Sequence, residues 1–262
     1  MTARKSMQWR GVMIWGCFIC LLVMGQPLLA FDAGNWDTLL KKYVAPKTIE
    51  GIPLQAVNYR ALQKDPLYRN VITDLETVQL SNFKTKEERL AFWINAYNIM
   101  AIKVVLDHYP VTSIKDAGGL IYPVWKLTVG TVGGKERTLN EIEHDILRKM
   151  GEPRIHVGIV CASLSCPDLR PEAYTPKQLN EQLDDQMKSF LANEKKGLQI
   201  DATNQRVYLS SIFKWVSEDF EFQGGVRPYL AGYVPEQISA MLNNDKFRVS
   251  HLDYNWNLNK SS

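Results

Sequence analysis

The chain lacks the groups that announce the commonest enzyme chemistries. It has no Gly-rich phosphate loop, no dinucleotide fingerprint and no G-x-S-x-G elbow, so it offers neither a nucleotide cradle nor a serine-hydrolase nucleophile. Histidine and cysteine occur four times each, and Cys17 and Cys20 fall in an N-terminal hydrophobic stretch. The other pair, Cys161 and Cys166, does not have the C-x-x-C spacing of thioredoxin-like sites. Zinc needs three or four ligands at workable spacing, and these cysteines with His144 or His156 make a weak set. No metal and no cofactor is therefore expected.

An excess of charge is lacking too. Lys5 and Arg10 lead into an uncharged run over 11–29, and Ala30 stands just before Phe31. A basic start, an apolar run and a small final residue make a secretory signal peptide over 1–30, with cleavage after Ala30. An uncleaved anchor is the alternative, because the run is nearly long enough to span a bilayer. Losing 1–30 removes Arg4, Lys5 and Arg10 and no acid, so Lys+Arg falls from 31 to 28, level with Asp+Glu. A neutral mature chain has no electrostatic footprint for nucleic acid. A membrane enters only through the N-terminal segment, if uncleaved. The expected location is periplasmic or secreted, where paired cysteines commonly form a disulfide. No repeat, low-complexity tract or linker divides the rest, so an N-terminal helical extension over 31–80 is expected to pack on one core domain over 81–260.

The clearest structural signal present is Thr85-x-x-Glu88, a capping box. The following run over 90–102 is apolar nearly all round, which predicts a central buried helix ending near Pro110. Asn95 and Asn98 interrupt it at i, i+3. Buried amides must be hydrogen-bonded, so they either tie loops to the helix or orient the reacting groups of a site. Further helices are expected over 32–47, after Pro66, from Thr138-x-x-Glu141, from Thr175-Pro176 and from Pro235. Hairpins are expected around Gly133-Gly134 and over 198–209, a terminal strand over 247–254, and irregular chain over 48–64. The expected fold class is α+β, a central buried helix packed on a small mixed or antiparallel sheet.

Chemistry concentrates after Arg154. The run over 154–160 is apolar and β-branched and predicts a strand buried on both faces, delivering Cys161 and Cys166 on a tight loop. A thiol, an imidazole and an amide are the parts of cysteine nucleophile catalysis. The candidates are Cys166 or Cys161 as nucleophile, His156 or His144 as base, and Asn98, with Asn95 beside it, as orienting group. On a regular strand His156 and Cys161 face opposite ways, so Cys166 on the returning loop is the sulfur expected to reach His156 or His144. His144 lies roughly 140° from the buried stripe of its helix, so it is solvated or held towards a site. The reaction expected is acyl transfer or hydrolysis of an amide or thioester. The competing reading is a non-catalytic binding or assembly module stapled by a Cys161–Cys166 disulfide.

Several segments together resemble a known family. They are Phe92-Trp93-Ile94-Asn95-Ala96-Tyr97-Asn98, Leu139-Asn140-Glu141-Ile142-Glu143-His144, Arg154-Ile155-His156, Cys161-Ala162-Ser163-Leu164-Ser165-Cys166-Pro167, Ile212-Phe213-Lys214-Trp215 with Asp219-Phe220, and the closing Asp253-Tyr254-Asn255-Trp256-Asn257-Leu258-Asn259. Over roughly 80–260 the chain is similar to bacterial members of the family called domain of unknown function 547, which brings no activity with it. A histidine after a central helix is also distantly similar to the papain and transglutaminase architecture, a fold-level analogy. Those enzymes place the cysteine at the start of the central helix, and this chain's helix carries Asn95 and Asn98 instead.

The export reading has a direct test. N-terminal sequencing of protein made in its own cell should find Phe31 first. Membrane-held protein beginning at Met1 would favour the anchor.

Overall fold

The computed structural model describes residues 31–119 and 123–261, and the uncharged run over 11–29 lies outside them. In chain order come α1 (Ala33–Tyr43), β1 (Val44–Ile49), β2 (Ile52–Val57), α2 (Tyr59–Leu62), α3 (Pro66–Thr77) and the long α4 (Lys86–His108). Then follow β3 (Thr128–Val132), β4 (Lys135–Thr138), a widened helical segment Glu141–Leu147, the single turn α5 (Ile155–Gly158) and α6 (Leu179–Ala192). The last part holds β5 (Leu198–Asp201), β6 (Arg206–Leu209), α7 (Ser211–Trp215), a tight 3₁₀ segment Ser217–Gln223, α8 (Val226–Ala231), α9 (Glu236–Leu242) and β7 (Arg248–His251). β1–β2 and β3–β4 are antiparallel hairpins. β6 joins β5 antiparallel and β7 parallel, a small mixed sheet. The architecture is α+β.

α4 forms where the capping box predicts. Thr85 Oγ1 accepts from Glu88 N–H at 3.1 Å, and the Glu88 carboxylate accepts from Thr85 N–H at 2.9 Å. Every side chain over 90–102 is buried, so this helix is surrounded on all sides. It is long and apolar enough to cross a membrane, but it is enclosed by the protein's own core. That core takes in α1, α3 and β3. A second core gathers Met187, Phe190, Phe213 and Phe220 beside the mixed sheet. The two meet at α5, where Ile155 and Ile159 belong to the first and Val157 to the second.

That junction overturns the strand expected over 154–160. Val157 and Gly158 N–H both donate to the Arg154 carbonyl, and Ile159 N–H donates to Ile155 O at 2.9 Å, so the chain is a helical turn. A short apolar run does not distinguish a buried strand from a buried turn, and here packing on two cores decides. A β-carbon on Gly158 would lie 3.2 Å from Leu183 Cδ2, so α6 sits against the turn. Arg154 pins the start, bonding Glu152 through Nε at 2.8 Å and Asp184 through Nη1 at 2.7 Å.

Other boundaries move for local reasons. The helix expected over 32–47 ends at Tyr43, and the hairpin β1–β2 takes over its last residues and part of the stretch over 48–64 expected to be irregular. Its turn residues Glu50 and Gly51 both have positive φ, 52° and 75°, as a two-residue hairpin loop requires. β1 is mostly exposed and so shows no apolar alternation. α6 starts at Leu179, because Gln182 reaches back to accept from Thr175 N–H and donate to Ala173 O. The terminal strand is confined to β7, and the chain beyond it leaves the sheet.

Asn98 makes the tie that positions the later loop. Its Nδ2 donates to Gly158 O and its Oδ1 accepts from Val160 N–H, both at 2.9 Å and buried. Asn95 does the same for Tyr174, at 2.8 and 3.0 Å. Asn98→Ala strands a buried carbonyl and a buried N–H, each costing about 1–3 kcal/mol. A chemical-denaturation curve should show a loss of about 2 kcal/mol or more. A change within experimental error would remove Asn98 from this structural role.

Candidate active site

Beyond Val160 the chain turns sharply. Ala162 has φ 58°, a left-handed conformation that costs a residue with a β-carbon roughly 1–2 kcal/mol. The C-terminal segment holds it there. Asn259 N–H donates to Ala162 O at 3.0 Å, Leu164 N–H to Asn257 O at 2.9 Å and Ser165 N–H to Asn255 O at 3.2 Å. The same segment is fixed from behind, by Val57 N–H to Asn259 O at 2.9 Å and Tyr59 OH to Asn259 Oδ1 at 2.7 Å. This strap lays Tyr254 against Cys161.

A cleft of about 250 Å³ opens at the junction of the two cores, lined among others by Tyr97, Glu143, His144, His156, Cys161 and Cys166. Both cysteines are free thiols, Cys161 half-buried and Cys166 buried. Around the Cys161 sulfur stand Tyr254 OH at 3.0 Å and Ser163 Oγ at 3.1 Å, and the two hydroxyl oxygens are 3.2 Å apart. Cys161 N–H donates to Cys166 Sγ at 2.9 Å. Burial works against ionisation of Cys161, but hydrogen bonds from the Cys166 thiol and from the Ser163 and Tyr254 hydroxyls outweigh it and bring its pKa down from 9.0 to about 7. Cys166 goes the other way. Burial, reinforced by the neighbouring Cys161 sulfur, pushes it well above the ordinary thiol range. The two thiols thus differ, Cys161 being the more readily ionised and Cys166 the one that holds its proton.

His156 is buried at the other side of the cleft and makes a 2.6 Å hydrogen bond from Nε2 to Asp219 Oδ2. Arg148 grips the same carboxylate with two bonds, Nε to Oδ2 at 2.7 Å and Nη2 to Oδ1 at 2.8 Å. Burial would raise the Asp219 carboxyl, yet His156 and Arg148 together hold it far below the usual carboxylate range. A fixed carboxylate acceptor at Nε2 places the ring proton there and leaves Nδ1 as the basic nitrogen. Arg148 also meets His144 Nδ1 through Nη1 at 2.8 Å, so His144 is tethered at the exposed rim.

The structure therefore brings Cys161, Cys166, His156 and His144 to one cleft. Among the described residues no hydrogen bond joins either histidine to either sulfur, including the expected bond from Cys166. Asn98 orients no imidazole, since both ends of its amide are occupied by backbone, and Asn95 holds Tyr174 away from the sulfurs. Asp219, Arg148, Ser163 and Tyr254 carried no role in the sequence reading. Asp219 and Tyr254 stand in segments that carry the family resemblance, the one signal that could have found them. Among the described residues no three His, Cys, Asp or Glu side chains gather in a way that could hold a metal ion.

Residues 80–191 match the family model described as Protein of unknown function, DUF547. That span holds α4, both free cysteines and both histidines of the cleft, whereas Asp219 and Tyr254 lie beyond it. No curated protein and no solved structure matches the chain.

The sulfur environment fixes how reactivity should depend on pH. Thiolate, not thiol, reacts with iodoacetamide, so alkylation of Cys161 should be half-maximal near pH 7 instead of 9. Tyr254→Phe removes a donor to the thiolate, raises the pKa and slows the reaction at pH 7. His156→Ala should leave the midpoint in place, because no imidazole contributes to it. A wild-type midpoint near 9, or one insensitive to Tyr254→Phe, would contradict this assignment.

Proposed function

We propose that this protein is an exported enzyme of the periplasm or extracellular space that uses Cys161 for acyl transfer or hydrolysis of an amide or thioester. One observation carries the reading: a half-buried sulfur flanked by two hydroxyls shares a cleft with an imidazole whose Nε2 is fixed by a partly buried carboxylate. Cys161 is the nucleophile, His156 the acid and base, and Asp219 the orienting group. Asp219 takes the place first given to Asn98 and Asn95, and the exposed His144 supports Arg148.

The chemistry follows from those parts. The Cys161 sulfur attacks the substrate carbonyl, forming a C–S bond and an oxyanion. His156 takes up at Nδ1 the proton that the Cys161 thiol gives up, becoming an imidazolium that Asp219 stabilises. Collapse of the oxyanion breaks the bond to the amine or thiol, which leaves with the proton from Nδ1. Water or a second acceptor then attacks the thioester, its proton passing to His156, and the Cys161 thiolate is released. The absence of a direct His156–sulfur bond in the free protein is compatible with this course, because catalytic hydrogen bonds often tighten only with substrate bound.

A second reading rests on the closeness of the two cysteines, with Cys161 N–H donating to Cys166 Sγ at 2.9 Å. Oxidation of that pair by an external disulfide would consume the nucleophile and leave a binding or assembly module.

p-Nitrophenyl acetate separates the two. An enzyme should release a stoichiometric burst of p-nitrophenolate and carry one acetyl group on Cys161. Cys161→Ala should abolish the burst, and His156→Ala should slow the steady phase by about 10²–10⁴. Acetylation elsewhere, or a Cys161–Cys166 disulfide in every molecule isolated without reductant, would defeat the enzyme reading.

A further inference from the structure

Four aromatic side chains form one wall of the cleft. Trp215 stacks on Trp256 with ring centroids 5.9 Å apart and planes 16° from parallel. Tyr254 stands 4.5 Å from Trp256 and 4.9 Å from Trp215, and Trp125 continues the wall 6.1 Å from Trp256. Burial of Ile212 and Phe213 explains α7, but Trp215 at its end is 52 % exposed. Half an indole left in water beside a reactive sulfur is apolar surface kept for a ligand. Lys115 Nζ already lies 4.6 Å from the centre of the Trp256 ring, so the stack accommodates a cation.

Glu143 also lines this cleft. Its carboxylate accepts one bond from Tyr97 OH at 3.3 Å, and among the described residues no cation pairs with it. The neighbouring acids differ. Glu141 is engaged by Lys135 at 2.8 Å and also by Arg137, and Asp219 by Arg148. Among the described residues no lysine or arginine lines the cleft, and Lys115 stands at its edge against Trp256. Glu143 is thus an acid in the lining without an ion-pair partner of its own, which disfavours anionic acyl carriers. Tryptophan faces with an unpaired carboxylate are the chemistry that recognises an ammonium ion.

Resting on the nucleophile assignment above, we propose that the substrate carries a cationic amine near the carbonyl attacked by Cys161, held between Glu143 and the Trp215–Trp256 stack. A lysine-like primary ammonium group fits both halves of this site.

The test measures binding alone, with Cys161→Ala protein that cannot react. Tryptophan fluorescence is followed while Nα-acetyl-lysinamide, uncharged Nα-acetyl-norleucinamide or the trimer of N-acetylglucosamine is added. The lysine probe should bind at least about fivefold more tightly than the norleucine probe, the scale of one ammonium on an aromatic face. Glu143→Gln keeps an oxygen for Tyr97 and should bring the two within about twofold. Trp215→Leu, at an exposed position, should weaken the lysine probe without lowering the melting temperature. Equal binding of the two amides, a preference untouched by Glu143→Gln, tighter binding of the sugar, or no binding of any probe would overturn the inference. None of these outcomes depends on the sulfur. A failed acetyl burst with the lysine preference intact would instead reject the nucleophile and keep the cation site.

Discussion

One buried amide holds the site together. Asn98 reaches from the middle of the central helix to the backbone on both sides of Ile159, accepting from Val160 N–H and donating to Gly158 O. Those residues have no strand beside them, so without Asn98 two backbone groups would lie buried and unpaired. In a low-dielectric interior such bonds are strong and their loss is expensive. Asn95 repeats the device one turn earlier for Tyr174. A helix that is apolar nearly all round in its middle thus uses its two buried amides to fix loops, and Cys161 stands next to one of them.

The second constraint comes from the opposite end of the chain. The segment over 254–259 pairs with the loop over 162–165, and its far edge is anchored on Val57 and Tyr59. The hairpin β1–β2, remote in sequence, therefore sets where the Tyr254 hydroxyl stands. From that position follows the difference between the sulfurs: Cys161 is surrounded by donors, while Cys166 is enclosed and keeps its proton. Neither charge state needs a histidine. His156 is bonded instead to Asp219, whose carboxylate Arg148 grips.

Local signals in the sequence made much of this readable. The capping box of α4, the Pro66 start of α3, the hairpin over 198–209 and the buried amides all follow from patterns within a few residues. What was not readable is non-local. The run over 154–160 is apolar because it packs between two cores, and its composition does not separate a turn from a strand. Asp219 reaches His156 across 63 positions and Tyr254 reaches Cys161 across 93, and no periodicity relates residues so far apart. The cysteine pair lies in the same cleft as His144 and His156, but which sulfur ionises depends on hydroxyls delivered by other segments.

The central claim is this division of labour between two neighbouring thiols, and ionisation can be followed without any reagent or substrate. Thiolate ultraviolet absorbance should be titrated on reduced protein for the wild type, Cys161→Ala and Cys166→Ala. The account predicts one thiolate forming near pH 7 in the wild type, absent from Cys161→Ala. In Cys166→Ala the transition should move upward, because a hydrogen-bond donor to the thiolate is gone. A transition near pH 7 that survives in Cys161→Ala, or a wild type with no thiolate until pH 9, would contradict it.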